Sequence, residues 1–132
     1  MLNPRLRHID LPARAFLAAL FILSGTAKIG ATEATAGYME AFGVPAFLLW
    51  PTIIFEIGAG IGVLIGIGTR YLAVLLAGFC LLTALIFHAA FDDQIQRVMF
   101  LKNLAMAGGF LLLARESAPA FSIDRLMAAR ES

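Results

Sequence analysis

The sequence predicts an all-α integral membrane protein, a four-helix up-down bundle with both termini cytoplasmic. Three observations carry this: an extreme apolar composition, charges placed so as to leave four long uncharged stretches, and short connections between them. Of 132 residues, 61% are hydrophobic and 14% charged, and mean hydropathy is +0.87. Counting the 12 glycines, the apolar share is roughly 70%, against about 45–50% in a soluble domain. A small soluble fold buries only about two-thirds of its chain surface and cannot hide that much apolar area. A soluble globular domain is excluded.

Arg14 and Lys28 bracket the first uncharged stretch, and between Glu40 and Arg70 only Glu56 is charged. Residues 71–91 carry no Lys, Arg, Asp or Glu, and residues 98–114 carry only Lys102. A helix needs about 20 mostly apolar residues to cross a hydrocarbon core of roughly 30 Å. Helices are therefore expected over about 12–29, 45–66, 71–91 and 98–115, forming one domain over 1–132. Pro12 suits the first turn of the first helix. The links between spans are of the length that joins antiparallel neighbours. Arg5, Arg7 and the later Ala34-Thr35-Ala36 have the outline of a cleavable signal peptide. Lys28 at the end of the apolar run and the three spans that follow argue that the first helix is retained.

Orientation follows from the basic residues. With the N-terminus inside, Arg5, Arg7, Arg14, Arg70, Arg115, Arg125 and Arg130 fall on the cytoplasmic side, leaving Lys28, Arg97 and Lys102 outside. A net charge of +1 offers no basic patch, so nucleic acid is excluded as a partner. Cys80, the single cysteine, has no internal disulfide partner and reads as a small buried residue. After Pro119, residues 120–130 alternate apolar and charged positions. This suits a short interfacial amphipathic helix, with a frayed terminus as the alternative.

Gly58, Gly62 and Gly66 recur every four residues, a ridge expected to seat the second helix against a neighbour. They do not make a nucleotide loop: Val63 stands where a dinucleotide fingerprint needs glycine, and no strand precedes it.

Glu56 demands more, because a carboxylate near a bilayer centre costs several kcal/mol, about 2.5–3.5 on insertion scales. It lies about 16 Å deep if its helix begins at Pro45, or about 9 Å deep if Trp50 marks the interface. It must pair, take up a proton or face a wet cavity. Ser24 and Lys28 at the end of the first helix, His88 near the end of the third, and Lys102 and Asn103 in the fourth are expected towards the same outer side. They predict a polar pocket inside the bundle. Lys28 or Lys102 would pair with Glu56, His88 would exchange a proton near neutral pH, and Asn103 would both donate and accept. The plainer readings are a snorkelling Lys28, an interfacial His88, and a Glu56–Lys102 pair that only sets helix register.

These same residues resemble the DoxX family. The resemblance rests on Phe21-Ile22-Leu23-Ser24-Gly25-Thr26-Ala27-Lys28, then Gly43-Val44-Pro45, then Glu56 with Gly60. Gly66-Ile67-Gly68-Thr69-Arg70, Phe87-His88, Phe100-Leu101-Lys102-Asn103 and Gly108-Gly109 continue it in order, over about 11–113. It implies a small four-helix protein of the bacterial inner membrane, related to membrane subunits of thiosulfate:quinone oxidoreductases. Such proteins are linked to quinone, catechol or thiol stress, sometimes with soluble redox partners.

The sequence bears no mark of a fixed redox centre of its own. Only His88 lies in a span, so bis-histidine haem ligation is excluded. There is no Cys-x-x-Cys pair and no flavin or nicotinamide fingerprint. No metal site is expected. The leading expectation is a quinone-binding component of a membrane oxidoreductase system, with a dissociable quinone as carrier. Glu56 and His88 would handle protons, while Lys28, Lys102 and Asn103, with Ser24 beside Lys28, hold the quinone. The expected partners are the lipid bilayer, a quinone and a soluble or membrane redox protein, and a homo-oligomer is left open. The alternatives are a non-catalytic scaffold for a redox enzyme and a small-molecule transporter. The transporter is weakened by the lack of inverted repeats and broken helices.

Overall fold

Four stretches of the chain form helices long and apolar enough to cross a bilayer: Leu6–Ile29, Ala46–Ile65, Thr69–Phe87 and Gln94–Ala114. The computed structural model describes residues 4–131, and all regular structure among them is helical. Residues 1–3 and 132 of the expected domain lie outside the described residues. A 3-10 turn, Pro4–Ile9, leads into α1 (Asp10–Ile29), followed by α2 (Thr32–Ala41). A second 3-10 turn, Ala46–Leu48, runs into α3 (Leu49–Ile65). Then come α4 (Thr69–Phe87), α5 (Gln94–Ala114) and α6 (Ile123–Glu131).

The long helices run up, down, up and down, and they group in two pairs. In the first, α1 lies antiparallel along α3: Gly25 faces Ile53, Glu56 and Ile57, while Gly60 faces Ala18 and Ile22. A Cβ at Gly25 would come within 2.6 Å of Ile57 Cγ1, and one at Gly60 within 2.9 Å of Ile22 Cγ1. The helices touch this closely because glycine stands at both positions. In the second pair α4 lies against α5, and Arg70 at its start donates to the carbonyls of Ala114 and Arg115 at the end of α5. Ala18, Val63, Ala73, Leu76 and Phe110 are wholly buried where the pairs meet. Phe21 binds the seam edge-on, 5.5 Å from Phe110 and 6.0 Å from Phe79 between ring centroids.

The glycine ridge differs from expectation. Gly58 has open space where its side chain would be, Gly62 packs on Leu72 of α4, and Gly66 ends α3 in the left-handed region at φ +75°. The face of α3 that is buried follows Ile53, Glu56, Ala59, Gly60 and Val63, a helical stripe on which Gly58 does not lie.

Several boundaries also move. The third span ends at Phe87 rather than 91, and the last begins at Gln94 rather than 98. The reason is Asp93, whose side chain accepts from the Ile95 N–H and so starts α5 one turn early. The expected 15-residue connection holds α2, framed by Gly30 and by Gly43 at φ +79°.

The end of the bundle that holds the start of α1 and the tail leading into α6 is tied by the buried Arg14. Arg14, expected at the membrane edge, is wholly buried. Its guanidinium donates to the Val63 and Leu64 carbonyls at the end of α3 and to Ala120 and Phe121 in the tail. Helix ends leave carbonyls without intrahelical partners, and Arg14 satisfies two of these. Asp10 Oδ2 accepts from the Ala120 N–H at 2.8 Å. Asp124 accepts from the N–H groups of Gly68 and Thr69 and from the Thr69 hydroxyl at 2.6 Å. Burial pushes the Asp124 carboxyl up, but these hydrogen bonds and the charge of Arg14 outweigh it and hold it below its ordinary value. Of the two expectations for the tail, a short helix or a frayed end, the helix forms as α6. The root of the tail is locked into the bundle, and α6 projects from it with no buried residue.

Candidate functional site

Towards the opposite end the helices line a cavity of about 550 Å³. Ser24, Lys28, Glu56, His88, Lys102 and Asn103 all line it. Their roles within it differ sharply.

Ser24 and Lys28 lie four residues apart on one face of α1, and Glu56 faces them from α3 across the close contact at Gly25. Lys28 Nζ stands 2.8 Å from Glu56 Oε2 and 3.1 Å from Oε1. It also donates to Ser24 Oγ at 2.7 Å, and that hydroxyl lies 3.5 Å from Glu56 Oε1. The Glu56 side chain is 5% exposed and that of Lys28 24%. Of the two lysines expected to approach Glu56, Lys28 is the one that pairs. The register pair expected between Glu56 and Lys102 does not form.

Lys102 instead lines the cavity with no hydrogen bond or ion pair among the described residues. Because α5 starts at Gln94 rather than at the expected 98, Lys102 stands about 12 Å along it. Asn103 is 8% exposed and ties α5 to α4, its Nδ2 donating to the Cys80 carbonyl at 3.2 Å and to Thr83 Oγ1 at 3.1 Å. No buried side-chain polar atom lacks a partner among the described residues, so the Asn103 Oδ1 faces accessible space.

His88 does not lie within the third helix as expected. It is the residue just past α4, and its Nδ1 lies 2.9 Å from Gln96 Oε1 of α5. Its ring lines the cavity without a hydrogen bond to Glu56.

The rest of the lining is mostly apolar. Phe55 and Phe79 pack 5.3 Å apart on its wall, with Phe21 against Phe79. Sequence reasoning missed α2, which brings Thr35, Tyr38 and Met39 to the cavity wall. Tyr38 stacks on Phe87 at 5.5 Å, and Phe42 touches both rings. The signal was present in a run bounded by Gly30 and Gly43 that carries Tyr38, Met39 and Phe42. Leu20, Leu48 and Leu82 line the cavity while also standing 38%, 37% and 57% exposed. These three leucines thus belong both to the cavity wall and to the exposed apolar surface of the spans. Among the described residues no three His, Cys, Asp or Glu side chains gather to hold a metal.

The DoxX family profile matches residues 9–89, which takes in α1 to α4 and every site residue except those on α5. Two proteins of Escherichia coli (strain K12) are similar over most of their length. Inner membrane protein YqjF is 48% identical over 117 residues, covering 89% of this chain and 90% of that protein. Inner membrane protein YphA is 37% identical over 120 residues, covering 86% of each. No solved structure matches significantly.

Proposed function

The chain belongs to the DoxX family and is a multi-pass protein of the inner membrane, and from that premise we propose that it binds a quinone as a component of a membrane oxidoreductase system. The observation that carries this reading is Lys102, a cation with no hydrogen bond or ion pair among the described residues, lining a mostly apolar cavity among the spans. Placing a charge at that depth costs several kcal/mol, and a ligand oxygen that accepts its proton offsets the cost. A cavity of about 550 Å³ accommodates a single substituted ring, and Phe55 and Phe79 offer it aromatic walls.

A bound quinone supplies the two-electron carrier, and its electrons come from a partner protein's cofactor. The residues of this chain bind and position. Lys102 would donate to a ring oxygen, and Asn103 Oδ1 would accept from a ring hydroxyl of the reduced form. His88, which lines the same cavity, is the second residue assigned to proton handling on this reading. Glu56 holds Lys28 in place and supplies a carboxylate to the cavity lining. Both termini lie in the cytoplasm on this reading, by the excess of arginine at the terminal end.

Calorimetric titration of a short-chain benzoquinone into the detergent-purified protein tests the proposal. Saturable binding that weakens at least tenfold in Lys102→Met supports it; binding indifferent to that change defeats it.

A second reading has its own observation. Lys28, Glu56 and Ser24 satisfy one another without any ligand. That is what a scaffold needs to hold α1 on α3 while it carries a redox enzyme. On this reading Lys102→Met has no ligand effect, while Glu56→Gln lowers both melting temperature and partner recovery.

A further inference from the structure

The arginines at the terminal end are of two kinds. Arg14 and Arg70 spend their guanidiniums on backbone carbonyls. The side chains of Arg7 and Arg125 make no hydrogen bond or ion pair among the described residues, and both line one cleft of about 380 Å³. The remaining walls are Ile65, Phe121, Ser122, Ile123 and Leu126.

Its depth is set by the spans. The first apolar span begins at Leu6 and the second ends at Ile65, so the cleft lies where helices leave the hydrocarbon. The two carboxylates nearby in sequence are committed elsewhere, Asp10 to the Ala120 N–H and Asp124 to Gly68 and Thr69. No acidic residue lines the cleft. Phe121 has φ +56°, a conformation that residues with side chains rarely adopt, and its carbonyl is held by Arg14. Its ring is 63% exposed and faces the cleft rather than the core.

We infer that this cleft binds an anionic phospholipid, its phosphodiester between Arg7 and Arg125 and its first acyl carbons over Ile65, Phe121 and Leu126. Guanidinium groups suit a phosphate because their fork of donors matches two of its oxygens. Uncompensated positive charge beside an apolar wall at the interface fits a lipid better than a free anion, which gains nothing from the wall. The inference stands apart from the quinone reading, which concerns the other end of the bundle.

Native mass spectrometry of the full chain, released from mild detergent with equal phosphatidylglycerol and phosphatidylcholine, reads the site directly. The expected result is one retained phosphatidylglycerol per chain, with a preference over phosphatidylcholine that falls roughly tenfold in R7Q/R125Q. Arg130→Gln, outside the cleft, keeps the preference. Should the double variant fold poorly, Arg7→Gln alone removes one phosphate contact without touching the tail, and is expected to lose part of it. Equal retention of the two lipids by the wild type, or an unchanged preference in the cleft variants, overturns the inference. So does inorganic phosphate at millimolar concentration displacing the lipid completely, which would make this a free-anion site.

Discussion

Lys28 and Glu56 meet at 2.8 Å on helices brought together by Gly25, and Ser24 closes the arrangement by accepting from the same ammonium. Neither acid nor base is free, yet both border the cavity. The pair therefore has a cost of disruption that does not depend on a ligand. Glu56→Gln leaves a cation facing a neutral amide in a site that is 5% exposed on the glutamate side. The expected loss is about 2–4 kcal/mol of stability, reduced somewhat because Lys28 reaches solvent. The double variant Lys28→Met/Glu56→Leu is expected to recover most of it. Reversible unfolding in mixed micelles, read as a double-mutant cycle, checks this.

Gly25 itself is the second test. A Cβ there meets Ile57 Cγ1 at 2.6 Å and the Ile53 carbonyl at 3.4 Å, so Gly25→Ala must push α1 away from α3. Gly58→Ala meets nothing and is expected to change stability by less than about 0.5 kcal/mol. Thermal melts of the two variants should separate clearly, with Gly25→Ala lower by about 1–3 kcal/mol.

Much of this site was legible in the sequence. The positions of Ser24, Lys28, Glu56, His88, Lys102 and Asn103 near one end follow from span lengths and helix direction alone, and all six line one cavity. Which lysine pairs with Glu56 was not legible, because it depends on how closely α1 approaches α3, and that is decided by Gly25 and Gly60. The burial of Arg14 was hidden for a similar reason. Its partners are backbone carbonyls of Ala120 and Phe121, about a hundred residues away, and backbone acceptors carry no signature in side-chain type. The extra helix α2 is short and only weakly amphipathic, which is why a pattern of long apolar spans passes over it.

The tail clasp gives a pH dependence. Asp124 is held below its ordinary carboxyl value in the folded protein, so the unfolded chain binds the proton more readily. Its contribution is fully present above about pH 5 and declines as pH falls through the carboxylate range towards the lower folded value. Asp124→Asn is expected to cost about 1–2 kcal/mol near neutrality and to flatten that decline. Proteolysis of the tail against pH, in wild type and variant, measures both.

Gly66 tests the same clasp from the backbone. At φ +75° any side chain is strained, and a Cβ would run into Ser122 and the Arg14 guanidinium. Gly68, at φ +57°, has open space around it. Gly66→Ala is expected to release the tail to protease, whereas Gly68→Ala costs only the backbone strain of about 1 kcal/mol.

Lys102 is the residue on which the functional reading turns, since among the described residues it lines the cavity with no hydrogen bond or ion pair, whereas Lys28 and Glu56 hold each other. The most direct measurement extracts the purified protein with organic solvent and counts quinone per chain by mass spectrometry, in wild type and Lys102→Met. Near-stoichiometric quinone in the wild type, lost in a variant that melts at the same temperature, is the predicted result. A wild type that is folded but free of quinone, or a Lys102→Met protein that keeps it, contradicts the account.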